Sequence, residues 1–131
     1  MEKKKLFISC PMKGRTEENI KKSMDKMHKL AEIIFDQELE VIDTYIEVMP
    51  PNTNLDIWCL GESLKKMAEA DYFIGINCGR DWAGCELEGN VAHQYDITRT
   101  YIDIDQVISE EEYKVLMAAL HSNRVIRRPY R

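Results

Sequence analysis

Hydrophobic positions fall into two rhythms along this chain. Leu6-Phe7-Ile8 and Tyr72 to Ile76 are short, unbroken apolar runs without the in-out alternation of a half-exposed strand. Such runs read as strands covered on both faces. The first strand is placed at Lys4 to Ser9 and the third at Tyr72 to Ile76. Between them Ile20, Met24, Met27, Ala31 and Ile34 recur at every third or fourth residue. That spacing predicts an amphipathic helix reaching about Phe35. Thr16 suits its N-cap, and Glu17 and Glu18 complement the dipole of its first turn. Lys21, Lys22, Lys26 and Lys29 mark its solvated face.

The same reading extends to the other segments. Glu40 to Ile46 is the second strand. Met49 to Asn54 is a polar break containing Pro50 and Pro51, suited to a loop at an active site. A helix from Leu55 to Ala70 carries Trp58, Leu60, Leu64 and Met67, with Gly61 inside it at a cost of about 1 kcal/mol against alanine. Cys85 to Tyr95 is helical, and Thr98 to Ile102 is the fourth strand. Ser109 caps a last helix to about His121, with Glu112 placed to complete a capping box. Strand and helix thus alternate throughout, the βαβ pattern of a parallel sheet with helices on both faces. Residues 1–122 form one α/β domain, and 123–131 a basic tail in which Val125-Ile126 supplies a fifth strand or docks on a neighbouring subunit. In such sheets ligands bind at the carboxyl edge of the strands.

With 131 residues, the chain is long enough for one domain with a real core. The net charge of −5 argues against a nucleic-acid-binding face. No apolar run is long enough for a membrane span, and Met1 to Lys5 followed by so short an apolar stretch is no signal peptide. A cytoplasmic protein is expected. Cys10, Cys59, Cys78 and Cys85 contain no CxxC pair, so they read as reduced thiols and not as a zinc site. Cys10, Cys78 and Cys85 sit near strand ends, where they are expected to line a pocket. His28, His93 and His121 are isolated. Neither a metal nor a cofactor is expected.

The chemistry-bearing residues converge on the predicted carboxyl edge. The first loop offers Ser9, Lys13 and Arg15, and the loop and helix after the third strand offer Asn77, Asp81, Trp82, Glu86 and Glu88. Ser63 and Asp71 flank the intervening helix. Ser9 and Lys13 suit a phosphate or ribose, or else simple turn chemistry. Trp82 is a base-stacking lid or core packing. Glu86 and Glu88 point about 200° apart on a helix, so only one of them faces a pocket.

Three blocks of this sequence are similar to a known family. Phe7-Ile8-Ser9-Cys10-Pro11-Met12-Lys13-Gly14 is the first, and Leu60-Gly61-Glu62-Ser63-Leu64 with the later Ala70-Asp71 is the second. Trp82-Ala83-Gly84-Cys85-Glu86-Leu87-Glu88-Gly89-Asn90-Val91-Ala92 is the third and most specific. They span residues 7 to 92, about two thirds of the chain. The chain resembles the nucleoside 2-deoxyribosyltransferase-like family, in its small phage-associated branch. The resemblance implies a flavodoxin-like doubly wound sheet of four or five strands in order 2-1-3-4-5. It implies Glu88 as a nucleophile toward the anomeric carbon of a nucleoside or nucleotide, by transfer or hydrolysis, with Asp71 as a substitute acid or merely a boundary residue. Phe7, Ser9, Lys13, Gly14, Ser63, Asn77, Asp81, Trp82 and Gly84 are then substrate contacts. A homo-oligomer is implied, since members of the family complete their sites from a neighbouring subunit. Phe7 stands where many members have tyrosine, Ser63 where the enzymes have aspartate, and Cys10 replaces a loop glycine. These departures keep open a second reading, a protein that binds or sequesters a nucleotide without turnover. A purely structural role on an inherited fold is a third.

Overall fold

The structure is a computed structural model, and it describes residues 2–46, 50–77 and 82–122. Its strands are β1 (Lys4–Ile8), β2 (Leu39–Val41), β3 (Tyr72–Asn77) and β4 (Thr98–Asp103). Its helices are α1 (Glu17–Phe35), α2 (Leu55–Met67), α3 (Ala83–Gln94) and α4 (Glu110–Ser122), with a short 3-10 turn at Ile104–Gln106 before the last. The strands form one four-stranded sheet of order β2-β1-β3-β4. Every pairing is parallel, with Leu6 opposite Val41 and Tyr72, and Ile76 opposite Ile102. This is an α/β doubly wound fold in flavodoxin-like order. The expected fifth strand at Val125-Ile126, with the basic tail, lies outside the described residues.

The unbroken apolar runs have a simple cause. Successive residues of β1 and β3 point into two different cores. Leu6, Ile8, Ile74 and Ile76 pack with Met27 and Ala31 of α1 and with Val107, Ile108 and Tyr113 on the α4 side. Phe7 and Phe73 point the other way, onto Met67 and Leu64 of α2 and Ala92 and Val91 of α3. The two phenylalanine rings stack with centroids 5.8 Å apart. Burying one such side chain contributes roughly 1.5–3 kcal/mol, so both faces of the sheet hold it in place.

Side chains cap three helix starts, two of them at the expected Thr16 and Ser109. Thr16 Oγ1 accepts the Asn19 N–H at 3.1 Å, and Asn54 Oδ1 accepts the Ile57 N–H at 3.1 Å. α1 ends at Asp36, whose φ of 54° places it in the left-handed region. Ser109 Oγ accepts the Glu112 N–H at 3.1 Å. The reciprocal half of the expected capping box is replaced by a different bond, because the Glu112 carboxylate is held by Arg15.

The second strand is shorter than the sequence suggests. It pairs only over Leu39–Val41, and the Ile42 N–H bond to the Leu6 carbonyl at 2.9 Å is its last link to β1. Asp43 then turns the chain away: its Oδ1 accepts the Tyr45 N–H at 2.9 Å, and Lys66 Nζ donates to its carbonyl at 2.8 Å. The local side-chain bond competes with a strand ladder that has a partner on one side only. Among the described residues, no helix is long and apolar enough to cross a membrane.

Candidate functional site

Three elements meet at the carboxyl edge of β1. Ser9 follows β1 on the α2–α3 side of the sheet, and its amide still donates to the Ile74 carbonyl at 2.9 Å. α3 passes over that point after leaving β3. The Ser9 hydroxyl donates to Glu88 Oε1 at 2.7 Å, and both residues are wholly buried. A carboxylate taken out of water costs several kcal/mol unless it is hydrogen-bonded, and a short charge-assisted bond of this kind compensates part of that. Glu86, by contrast, is only partly buried in the first turn of α3. The helix phase left open by the sequence is therefore fixed, with Glu88 as the inward glutamate.

Two glycines and a tyrosine set how closely α3 lies on the sheet. The Tyr101 hydroxyl donates to the Gly89 carbonyl at 3.2 Å. A Cβ built at Gly89 would stand 3.4 Å from that ring, and one at Gly75 would stand 2.8 Å from Phe73 and 3.2 Å from Tyr101. The absence of both side chains lets the Tyr101 ring lie between β3 and the helix that carries Glu88.

A cleft of about 880 Å³ opens at the same edge of the sheet, between α1, the segment after β2 and α2, and neither Ser9 nor Glu88 lines it. Ile20 and Met24 come from α1, Val41, Ile42 and Tyr45 from the segment around β2, and Cys59 and Ser63 from one face of α2. Ile8 lines it as well, one peptide bond from Ser9. Ser63 is a buried polar residue of α2 in that lining. Lys13 lies in the first loop and forms an ion pair with Asp56 of α2 at 3.4 Å, so it ties the loop to the start of α2. Gly14 takes a φ of 82°, a conformation that strains any side chain.

Several expected contacts are not part of this assembly. Asp71 precedes β3, at the amino edge of the sheet, and its Oδ2 accepts the Lys5 N–H at 2.8 Å. It sits at the far end of the strand from Glu88 and cannot serve as an acid there, because a residue before a strand is separated from the carboxyl edge by the strand's full length. Phe7 is core, stacked on Phe73, and does not line the cleft. Trp82 is core packing and not a lid: it is wholly buried with Cys85 and Leu116, beside Ile104 and Met117. Its Nε1 has no hydrogen-bond partner among the described residues. Gly84 is buried in the first turn of α3. Asn77 is exposed at the carboxyl edge, donating to Asp103 Oδ1 at 3.3 Å, on the β4 side away from the cleft. Asp81 lies outside the described residues, as does Cys78. Cys10 and Cys85 belong to two different apolar clusters instead of lining one pocket, and the thiol that reaches the cleft is Cys59.

Arg15 has a different role from the one its loop position suggests. Its side chain is wholly buried, and Nε and Nη2 bond the Glu112 carboxylate at 2.7 and 3.0 Å. Nη1 donates to the Pro11 carbonyl at 2.9 Å, and Nη2 also reaches Ser23 Oγ at 2.6 Å. The guanidinium therefore braces the loop between β1 and α1 against α4. Sequence reasoning named Arg15 and Glu112 separately, one as a residue of the converging first loop and one as part of a capping box, and had no signal linking them. It also missed Asp43 and Tyr45 as cleft residues, although an Asp two residues before a backbone N–H it can accept is a recognisable turn signal. Compared with models of protein families, with curated proteins and with solved structures, the chain matches none.

Proposed function

We propose that this chain acts on the N-glycosidic bond of a nucleoside or nucleotide, by transfer or by hydrolysis, with Glu88 as the nucleophile. The Ser9–Glu88 pair carries the reading: a buried carboxylate at the ligand edge of a parallel sheet, bonded at 2.7 Å to a residue whose neighbour Ile8 lines the cleft. In the reaction, a Glu88 oxygen lone pair forms a bond to C1′ while the C1′–N bond breaks and its electron pair leaves with the base. Water or a second base then attacks C1′ and frees the carboxylate. One hard displacement becomes two easier ones through an oxocarbenium-like transition state. Ser9 orients the carboxylate before attack, and its contact has to open when the sugar enters. The departing base takes its proton from water or from an acid of the cleft, since Asp71 lies at the opposite edge.

The test is base release, followed by chromatography, from a panel of deoxynucleosides and their monophosphates. Wild type is expected to release base, and Glu88→Ala is expected to lose that activity by at least about a thousandfold, the scale of losing a nucleophile. A second reading, binding without turnover, is favoured by one observation: Glu88 has no exposed surface. Under it, a ligand raises the melting temperature of wild type and Glu88→Ala alike and no base appears.

The same proposal has copies of the chain associating in the cytoplasm. Leu55, Ile57 and Trp58 at the start of α2 are 46%, 67% and 37% exposed, an apolar surface suited to a second copy. Light scattering is expected to give a mass above that of one chain, and a monomer at every concentration would reject association.

A further inference from the structure

The charges around the cleft deepen the reading of this site, on which this inference rests. Glu17 and Asp25 of α1 and Asp43 after β2 are lining residues, and Lys21 is the one lysine or arginine among the described residues that line it. Lys21 stands one helical turn from both Glu17 and Asp25, so its field is offset on either side. His28, also a lining residue, is turned to the edge strand: its Nε2 lies 2.9 Å from the Leu39 carbonyl and 3.4 Å from the Glu32 carboxylate. Two further ammonium groups approach from outside. Lys66 is drawn to the Asp43 carbonyl at 2.8 Å, and Lys13 is paired with Asp56 at 3.4 Å. Even with Lys66 counted, carboxylates outnumber ammonium groups, and the walls between them are apolar (Ile20, Met24, Tyr45).

A phosphate brings close to two negative charges and needs several donors or cations to replace its water. This cleft offers it acids and hydrocarbon. A purine or pyrimidine ring, by contrast, suits apolar walls, and its N–H donors, exocyclic or in the ring, have Asp25 and Asp43 as acceptors. From this we infer that the cleft selects a free nucleoside, neutral or with a cationic ring, and rejects the corresponding 5′-monophosphate.

Calorimetry on the full chain tests this with adenosine, thymidine and their 5′-monophosphates, and with two indole probes, tryptamine as a cation and indole-3-propionate as an anion. The nucleosides are expected to bind at least about tenfold more tightly than their monophosphates. The ratio is expected to narrow toward one in Asp25→Asn/Asp43→Asn, where each amide keeps the shape of the acid and an acceptor oxygen for the Tyr45 N–H. Monophosphates that bind as tightly as nucleosides would overturn the inference and leave the glycosidic reading standing. Nucleosides and nucleotides that both fail to bind would remove the glycosidic reading. The indole probes then decide the inference separately: tryptamine binding more tightly supports the acidic selection, and indole-3-propionate binding equally or better, or neither binding, overturns it.

Discussion

At Ser9 a single hydroxyl supplies a short bond to a wholly buried carboxylate. Ser9→Ala removes the 2.7 Å donor of Glu88 without changing the space around it. The expected loss is about 1–3 kcal/mol of unfolding free energy, read from urea denaturation, because water cannot replace a hydrogen bond lost at a buried acceptor. Arg15 is a stronger case. Arg15→Met leaves the Glu112 carboxylate, 16% exposed, without its guanidinium, and the expected loss is about 3 kcal/mol or more. Arg15→Lys is expected to recover only part of this, since an ammonium cannot hold two carboxylate oxygens and two further acceptors in one plane. Both residues were legible as candidates because their loop follows a strand. Their roles were not, because Ser9 and Glu88 are 79 residues apart and Arg15 and Glu112 are 97 apart. A loop arginine waiting for an anion and one already holding a buried glutamate look the same in one dimension. Asp71 shows the converse: its sequence neighbourhood was familiar, but which end of β3 it occupies decides what it can reach.

Among the elements, helix starts were the most readable. Thr16 and Ser109 cap through their own side chains as their local signal predicts, and Asn54, which was not read as a cap, does the same. Thr16→Ala is expected to cost about 1 kcal/mol, measured by thermal unfolding. The edge strand was the least readable. Tyr45 and Ile46 have the hydrophobicity of a strand, but they line a cleft and lie beyond the last link to β1, and the Asp43 turn marks the change. Packing between α3, β3 and β4 depends on absences that a hydrophobic pattern does not record. Gly75→Ala would set a methyl group 2.8 Å from Phe73 and 3.2 Å from Tyr101. The expected cost is about 1–3 kcal/mol from overpacking. It is also expected to weaken ligand binding in the same calorimetric assay, because the displaced Tyr101 ring supports the helix bearing Glu88.

Across the whole molecule, double winding was the firmest inference. Unbroken apolar strands alternating with amphipathic helices leave few arrangements, and right-handed crossovers remove most of those. The order β2-β1-β3-β4 was expected from the family resemblance alone, since hydrophobic periodicity does not say which strands pair. The cleft was legible as an edge and not as a shape, since its walls come from α1, α2 and the irregular segment after β2 together.

The brace from Arg15 to α4 has a consequence for the order in which the chain is made. Ser9 and the loop after it belong to the first strand to be synthesised, but the glutamate that neutralises Arg15 arrives in the last described helix. Until α4 has emerged from the ribosome and folded back, the loop at the candidate site carries a positive charge with no counter-ion and has every reason to stay open to water. Ribosome-held nascent chains stalled before residue 112 should therefore be cut readily by a protease within Cys10 to Arg15, and released full-length chains should not. A newly made copy would gain its finished site only once α4 has docked.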